Sequence, residues 1–423
     1  MTLKVELGFT PSGGAAPFFE LDDEVKGLLN STEYVLGGEV FADISEFVKS
    51  ASIGRGKSRE LDRFNAGSAS VVFNNQRRTF DPTYALSPYA GQIEPKRRIR
   101  ISMDGIIQFE GIVADWNLQY NAGDYSTATA VANDGTEVLS SINLNSYSTT
   151  SQLPGARINS VLDAIDWPAD KRNIDEGSQM LEADTVSDGT SSFTYLQKVS
   201  QSEPGDLFLS KNGSIKFVDQ FTVASEDTTE LSDDGTGVQY SGISVQFGAE
   251  LLYNNITVSN STSSFTATDQ ESETFYGEID YQLDTLALDD SLETLANFLL
   301  GRYASPEYRF ETITVVLTDK TEEQRATLLG LDLGDIVKVT FTPSDIPPAI
   351  TRFSKVIRLE QTFDNSGSEI ITFGFEALTG VVMVLNSPEF GKLDSGYFLG
   401  GPYSAWTLND AIYGRLSAGM TVS

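Results

Sequence analysis

The side chains that could do chemistry in this chain are carboxylates. Acidic pairs stand at Asp233/Asp234, Glu271/Glu273 and Asp289/Asp290. Two carboxyl groups held about 5–9 Å apart across an aromatic-lined groove are the device of a glycoside hydrolase. Other devices are excluded, because the 423 residues include no His and no Cys. That removes the Ser-His-Asp triad, HExxH zinc sites, thiolate metal sites and cysteine nucleophiles. Sixty Asp and Glu residues produce adjacent pairs by chance, and each pair reads first as a solvated face or a linker. "SDDGTG" lacks the spaced Asp-x-Asp-x-Asp-Gly pattern and distal Glu of a calcium loop. No catalytic, cofactor or metal set emerges, so the expectation is a protein that is not an enzyme.

Charge is distributed unevenly. The formal net charge is -31, yet Lys49–Arg100 carries eleven Lys/Arg against four acids, +7, which leaves -38 for the remainder. From Phe217 to Gly301 there are sixteen acids and no Lys or Arg. Such a surface repels nucleic acid and anionic membranes over a Debye length of about 8–10 Å, so specific nucleic-acid binding and membrane binding are not expected. No apolar run reaches the roughly 20 residues of a membrane span. The N-terminal "MTLKVELGFTPSGG" lacks the pattern of a signal peptide, which predicts a soluble protein made in the cytoplasm.

The basic island holds Arg55, Lys57, Arg59, Arg63, Arg77, Arg78, Lys96, Arg97 and Arg98. It admits three readings. Nucleic-acid binding is opposed by the acidic remainder. Internal pairing, for example of Arg59 or Arg63 with Glu60 or Asp62, covers part of it. The third reading, an acidic surface of another subunit facing the island and setting register, accounts best for the asymmetry. These nine residues are the candidate subunit interface.

The elements around them are mainly strands. "FADISEFVKSASIGR" and "GSASVVFNN" alternate as strands do, and "RRIRISMDGIIQFEGIVADWNLQY" reads as strands around an Asp104-Gly105 hairpin. Ile158, Val161, Leu162 and Ile165 have the spacing of one helix face, ended by Pro168; a second helix follows at "SSFTYLQKVSQSEPGD" and a hairpin over Asn212-Gly213. "SEDTTELSDDGTG" reads as a loop or linker. Leu292, Leu295, Ala296 and Leu299 mark another helix, and "DIVKVTFTP", "FSKVIRLEQTF" and "EIITFGFEAL" complete a second β unit. The two β units share a layout, as duplicated domains or unrelated antiparallel barrels would.

The expected class is mainly β with an α+β insert: two small β-barrel, tube-like domains, a middle α+β domain and a short C-terminal arm. The boundaries are 1–138, 139–225, 226–304 (an acidic β/helix connector), 305–385 and 386–423.

"FADISEFVKSASIGRGKSRELDRFNAGSASVVFNNQRRTFDPTY", followed by "SPYAGQIEPKRRIRI" and "QFEGIVADW", resembles the first domain of bacteriophage minor tail proteins, and more narrowly the tail-tip or baseplate hub of long-tailed phages. "GARINSVLDAIDWPADKRNIDEGSQML", "SEPGDLFLSKNGSIKFVDQ", "LANFLLGRYASPEYRFETITVVL" and "LLGLDLGDIVKVTF" follow in the family's order. The resemblance implies a homotrimer whose two barrels per chain make a pseudo-sixfold ring. Such a ring docks on the hexameric tail tube or distal tail ring above and on fibre or tip proteins below, by way of the C-terminal side. DNA and the tape-measure protein pass through it without sticking, and acids line part of the lumen. It implies a location at the tail tip of the virion, assembled in the host cytoplasm, with no cofactor. The alternatives are a hexameric distal tail protein, which usually has one tube-forming barrel, and a carbohydrate- or receptor-binding tip protein using Trp116, Trp167 and Trp406.

Overall fold

The computed structural model describes residues 2–9, 40–121, 126–219, 228–364 and 367–378. Strands form where apolar residues recur at every second position. The first unit contains β1 (Leu3–Phe9), β2 (Val40–Asp43), β3 (Val48–Gly56), β4 (Asn65–Asn74), β5 (Arg98–Met103), β6 (Ile106–Gln119) and β7 (Thr127–Asn133). Ala51 and Ile53 of β3, Ala69, Val71 and Phe73 of β4, and Ala128, Ala130 and Ala132 of β7 are buried on one shared face. The strands lie in the order β3-β4-β7-β6-β5-β1-β2. The β5–β6 hairpin turns on Asp104 (φ 50°) and Gly105 (φ 82°), the positive dihedrals that a two-residue hairpin loop requires.

The middle unit follows, with α1 (Thr136–Ser141), β8 (Asn143–Leu144), β9 (Ser148–Thr149), α2 (Pro154–Ala164), β10 (Arg172–Ile174), β11 (Asp184–Thr185), β12 (Thr190–Ser191), α3 (Ser192–Gln201), β13 (Asp206–Leu209) and β14 (Ile215–Val218). Helix α2 buries Ile158, Val161 and Leu162, as their spacing predicts, and stops short of Pro168 with Ile165 as its C-cap. Helices α2 and α3 pack with β13 and β14 into a core of their own.

The acidic stretch expected to be a loop contains β15 (Thr229–Ser232), which runs parallel to a strand a hundred residues later. A parallel partner that distant leaves no local mark. The chain continues through β16 (Val238–Gln239), β17 (Gly242–Phe247), β18 (Asn255–Ser259), β19 (Ser264–Thr268), α4 (Gln270–Tyr276), β20 (Asp280–Asp284) and α5 (Asp289–Tyr303). It closes with β21 (Tyr308–Val316), α6 (Glu322–Gly330), β22 (Ile336–Phe341), β23 (Ile350–Asp364) and β24 (Glu369–Ala377). Strands β15, β16 and β17 join the second barrel's sheet rather than the connector, so that barrel draws on residues well before 305. The connector's own core is α5 against β18, β19 and β20, with Leu292, Leu295, Ala296 and Leu299 buried.

The two barrels are wound alike. The order β3-β4-β7-β6-β5-β1 in the first matches β17-β21-β24-β23-β22-β15 in the second. Their longest strands carry a bulge at matching places, between Val113 and Asp115 in β6 and between Val356 and Arg358 in β23. One difference is that β1 runs antiparallel to β5 whereas β15 runs parallel to β22. The barrels are fused through their sheets: Arg358–Asp364 of β23 pairs antiparallel with Gly56–Ser50 of β3, giving one 14-stranded sheet. The expected arm at 386–423 lies outside the described residues.

Candidate assembly junction

Strand β3 ends at Gly56 against β23, and the next residues dive into the seam between the barrels. The parity that buries Ala51 and Ile53 continues through Arg55 and Lys57, which are 6% and 4% exposed. An ammonium so deeply buried must be paired. Lys57 Nζ lies 2.8 Å from Asp206 Oδ1 and 3.0 Å from Glu376 Oε2, and donates to the Glu60 carbonyl at 2.8 Å. Lys355 Nζ reaches Asp206 Oδ2 at 2.5 Å and Glu376 Oε1 at 3.5 Å. Arg302, on the last turn of α5, lies 2.7 Å from Glu376 and 3.4 Å from Glu60, and Arg309 of β21 lies 3.2 Å from Glu60.

These seven side chains come from the β3 exit, the middle unit (Asp206), the connector (Arg302) and the second barrel (Arg309, Lys355, Glu376), so one buried cluster ties every unit of the chain together. Burial acts against each charge, and the opposite charges outweigh it. The carboxylates of Asp206 and Glu376 are held below their usual range, chiefly by Lys355 and Lys57, while the Lys57 and Arg302 pKa values are raised. Asp206 and Glu376, shifted down, and Lys57 and Arg302, shifted up, stay charged across the neutral range, which suits a cluster that holds structure.

A second knot fixes the middle unit in the corner between the barrels. Arg55 lies 2.8 Å from Asp332 and donates to the Leu209 carbonyl at 2.6 Å. Lys211 donates to the Leu329 and Gly330 carbonyls at the end of α6, at 2.7 and 2.5 Å, where the helix dipole favours a cation. A third contact joins the Asp104 turn of the first barrel to Arg325 of α6 at 2.5 Å.

The structure divides the nine candidate interface residues. Arg55 and Lys57 are consumed inside the chain, and Arg97 is buried with its guanidinium 2.9 Å from Glu94. For these three an exposed interface role is corrected to internal pairing, because a charge in low dielectric takes the nearest opposite charge. Arg59 lies on the surface 2.9 Å from Glu250, and Arg63 is exposed and donates to Gln201 at 2.9 Å. Arg77 is exposed. Arg78 pairs with Asp81 at 2.8 Å and rests on the Tyr84 ring; Lys96 pairs with Glu137 and Arg98 with Glu110. The suggested partners Glu60 and Asp62 are not those of Arg59 and Arg63, since Glu60 turns inward to Arg302 and Arg309. Because an exposed pair contributes about 0–1 kcal/mol, Arg59→Glu is expected to change the unfolding free energy by less than about 1 kcal/mol in a urea titration. A loss several times larger would show that Arg59 belongs to the buried cluster.

The acidic pairs go to turns and helix starts. Asp233 accepts from the Thr342 amide at 2.6 Å, Asp234 from the Thr236 amide at 3.0 Å, and Glu271/Glu273 and Asp289/Asp290 occupy first turns of α4 and α5. Acids are favoured there by the helix dipole. Trp116 packs on Phe73 and Phe80 with ring centroids 6.1 and 5.9 Å away, Trp167 packs on the middle core, and Trp406 lies outside the described residues.

No family model and no curated protein sequence matches this chain. Solved structures do match. The tail protein from Neisseria meningitidis MC58 superposes with a TM-score of 0.57 at 12% identity, over 80% of this chain and 94% of that one. The chain has the fold of a phage tail protein. The 43 kDa tail protein of prophage MuSo2 from Shewanella oneidensis gives the same result, with a TM-score of 0.56 at 11% identity over 89% and 98% of the two chains. The tail-protein fold therefore spans both barrels, the middle unit and the connector, and at this identity what has been kept is the architecture rather than the side chains.

Proposed function

We propose that this chain is the structural hub of a phage tail tip or baseplate, three copies forming a pseudo-sixfold ring that joins the tail tube or distal tail ring to tip or fibre proteins. The observation that carries the reading is the pair of like-wound barrels fused edge to edge in one sheet. A chain with two equivalent barrels presents two equivalent docking surfaces, so three chains present six to a hexameric tube, and three to a trimeric tip.

The open face of the fused sheet suits a channel wall. Ser52, Ser70, Thr129, Thr312, Thr362 and Thr372 point away from the core on six neighbouring strands. Uncharged hydroxyls offer no anchor to a phosphate backbone, and the exposed acids Glu311 on β21, Glu360 on β23 and Asp115 on the adjoining β6 repel it, with Arg358 on that face 3.7 Å from Glu360. DNA and the tape-measure protein would slide along such a surface. The buried cluster suits the role too, because a ring built of fused barrels keeps its shape only if the barrels and the middle unit are locked together.

Electron microscopy of the purified particle tests the reading. Class averages should show a ring with three heavy lobes and six-spoked modulation. A ring of six whole chains would make it a distal tail protein instead, and isolated particles that bind glycans would make it a tip-mounted receptor binder.

A further inference from the structure

The repeat fixes more than the number of barrels; it fixes which strand edges are left over. Inside one chain, the first barrel offers the edge of β3 and the second offers the Arg358–Asp364 half of β23, and these pair. Their counterparts in the other barrel are β17 and the Asp115–Gln119 half of β6. Among the described residues β17 pairs on one side only, with β21. Beyond Val113, β6 pairs among the described residues on one side only, with β7, because the β5 ladder ends with Arg98 opposite Ile112. An open strand edge is a template for another strand. We propose that β17 of one copy pairs antiparallel with the second half of β6 of the next copy, repeating between chains the β3–β23 joint found within the chain. This rests on the trimeric-ring reading and names the surface that closes it.

The register follows from the ladders. The shift in numbering that carries Asp115 onto Arg358 carries Val131, its partner, onto Gly374. Val131 pairs with Ser70, which pairs with Ser52; Gly374 pairs with Thr312, which pairs with Ser244. Ser244 is therefore the counterpart of Ser52. Within the chain Ser52 faces Thr362, and the shift that relates Arg358 to Asp115 relates Thr362 to Gln119. Ser244 of one copy thus faces Gln119 of the next. The faces agree: Ser52, Thr362, Ser244 and Gln119 are all exposed, while Ile243 and Val245, like Ala51 and Ile53, turn to the core.

An independent observation points to the same surface. Among the described residues seven large apolar side chains are conspicuously exposed, and four of them lie on the elements this joint would use: Phe247 (68%) at the end of β17, Tyr120 (53%) just after β6, Ile346 (68%) in the β22–β23 turn and Leu86 (81%) between β4 and β5. The flanks are matched by the same symmetry. Within the chain the β5–β6 turn meets α6 through Asp104 and Arg325. Between chains the β22–β23 turn, with Asp345 and Ile346, would meet the segment joining β4 to β5, with Arg77 and Leu86. Apolar contact at the centre and opposite charges at the rim are the composition of a specific interface. Arg77, and Arg78 beside it, are the part of the basic island this joint would use.

A cysteine-free chain makes the test direct. Partners in an antiparallel ladder have Cα atoms about 4.5–5.5 Å apart, within disulfide range, whereas diagonal neighbours lie at about 7–8 Å. The double variant Ser244→Cys/Gln119→Cys, mildly oxidised, is expected to run mostly as covalent dimer and trimer on a non-reducing gel. Ser244→Cys/Asn117→Cys, two residues out of register, should cross-link at least tenfold less, and the single variants should give no ladder. All three positions are exposed strand sites, so unfolding midpoints matching the parent's verify the fold. A native trimer without cross-links in the first variant overturns the pairing and leaves the ring standing. A monomer or hexamer overturns the ring reading, and the pairing with it.

Discussion

In Lys57→Ala, the unfolding free energy is expected to fall by about 3–5 kcal/mol, the cost of stripping one partner from a buried ion cluster. Lys57 is 4% exposed and shares Asp206 and Glu376 with Lys355. Without it the two carboxylates keep fewer opposing charges, in a medium where an unmatched charge is costly. Lys57→Met, which restores volume but not charge, should lose as much. The acid limb of stability reports the same chemistry. Asp206 and Glu376 titrate below their usual range when folded. A depressed carboxylate stabilises the fold fully above its unfolded pKa of about 4, and that contribution is lost as pH falls through the lower folded value. Removing Lys57 shrinks the depression, so the variant's stability should fall less between pH 4 and pH 3 than the parent's, from the same onset near pH 4. Urea unfolding followed by tryptophan fluorescence from pH 3 to 7 measures both effects. A loss under about 1 kcal/mol with an unshifted acid limb would contradict the cluster.

Gly56→Ala is expected to cost about 3 kcal/mol or more and to loosen the joint between the barrels. Gly56 has a φ of +117°, and a Cβ built on it would stand 2.1 Å from the Ile357 carbonyl oxygen and 2.7 Å from Arg358 Cα. Those are backbone atoms of the partner strand and cannot turn aside as a side chain could. A strained dihedral costs about 1–3 kcal/mol and overpacking a similar amount. Gly54→Ala is the control, because its Cβ would meet only Ser68 Oγ at 3.9 Å, and the change should stay within about 1 kcal/mol. If the two variants unfold alike, the close crossing of β3 and β23 is not what holds the barrels together.

Local signals carried much of the architecture. The Ile158, Val161 and Leu162 spacing fixed the buried face of α2, the Asp104-Gly105 pair marked a hairpin, and period-two alternation marked the walls of both barrels. Strand parity also held an overlooked clue, since Arg55 and Lys57 continue the buried positions of Ala51 and Ile53. The capping box of Thr321 and Gln324 likewise announced α6, which the alternation around it concealed. What was not legible is long-range. Asp206, Arg302, Lys355 and Glu376 are ordinary surface residues by type, and only the folded chain brings them to Lys57. The pairing of β15 with β22 is parallel and remote, so no turn chemistry betrays it. The split of the basic island into buried and exposed members has the same cause: burial depends on what packs opposite, and a single strand does not encode it.

The central claim is that three of these chains close into one ring, and native mass spectrometry at near-physiological ionic strength tests it most directly. The predicted result is a species at three times the chain mass, with no species at six times it. A stable hexamer, or a monomer at every concentration reached, would contradict it.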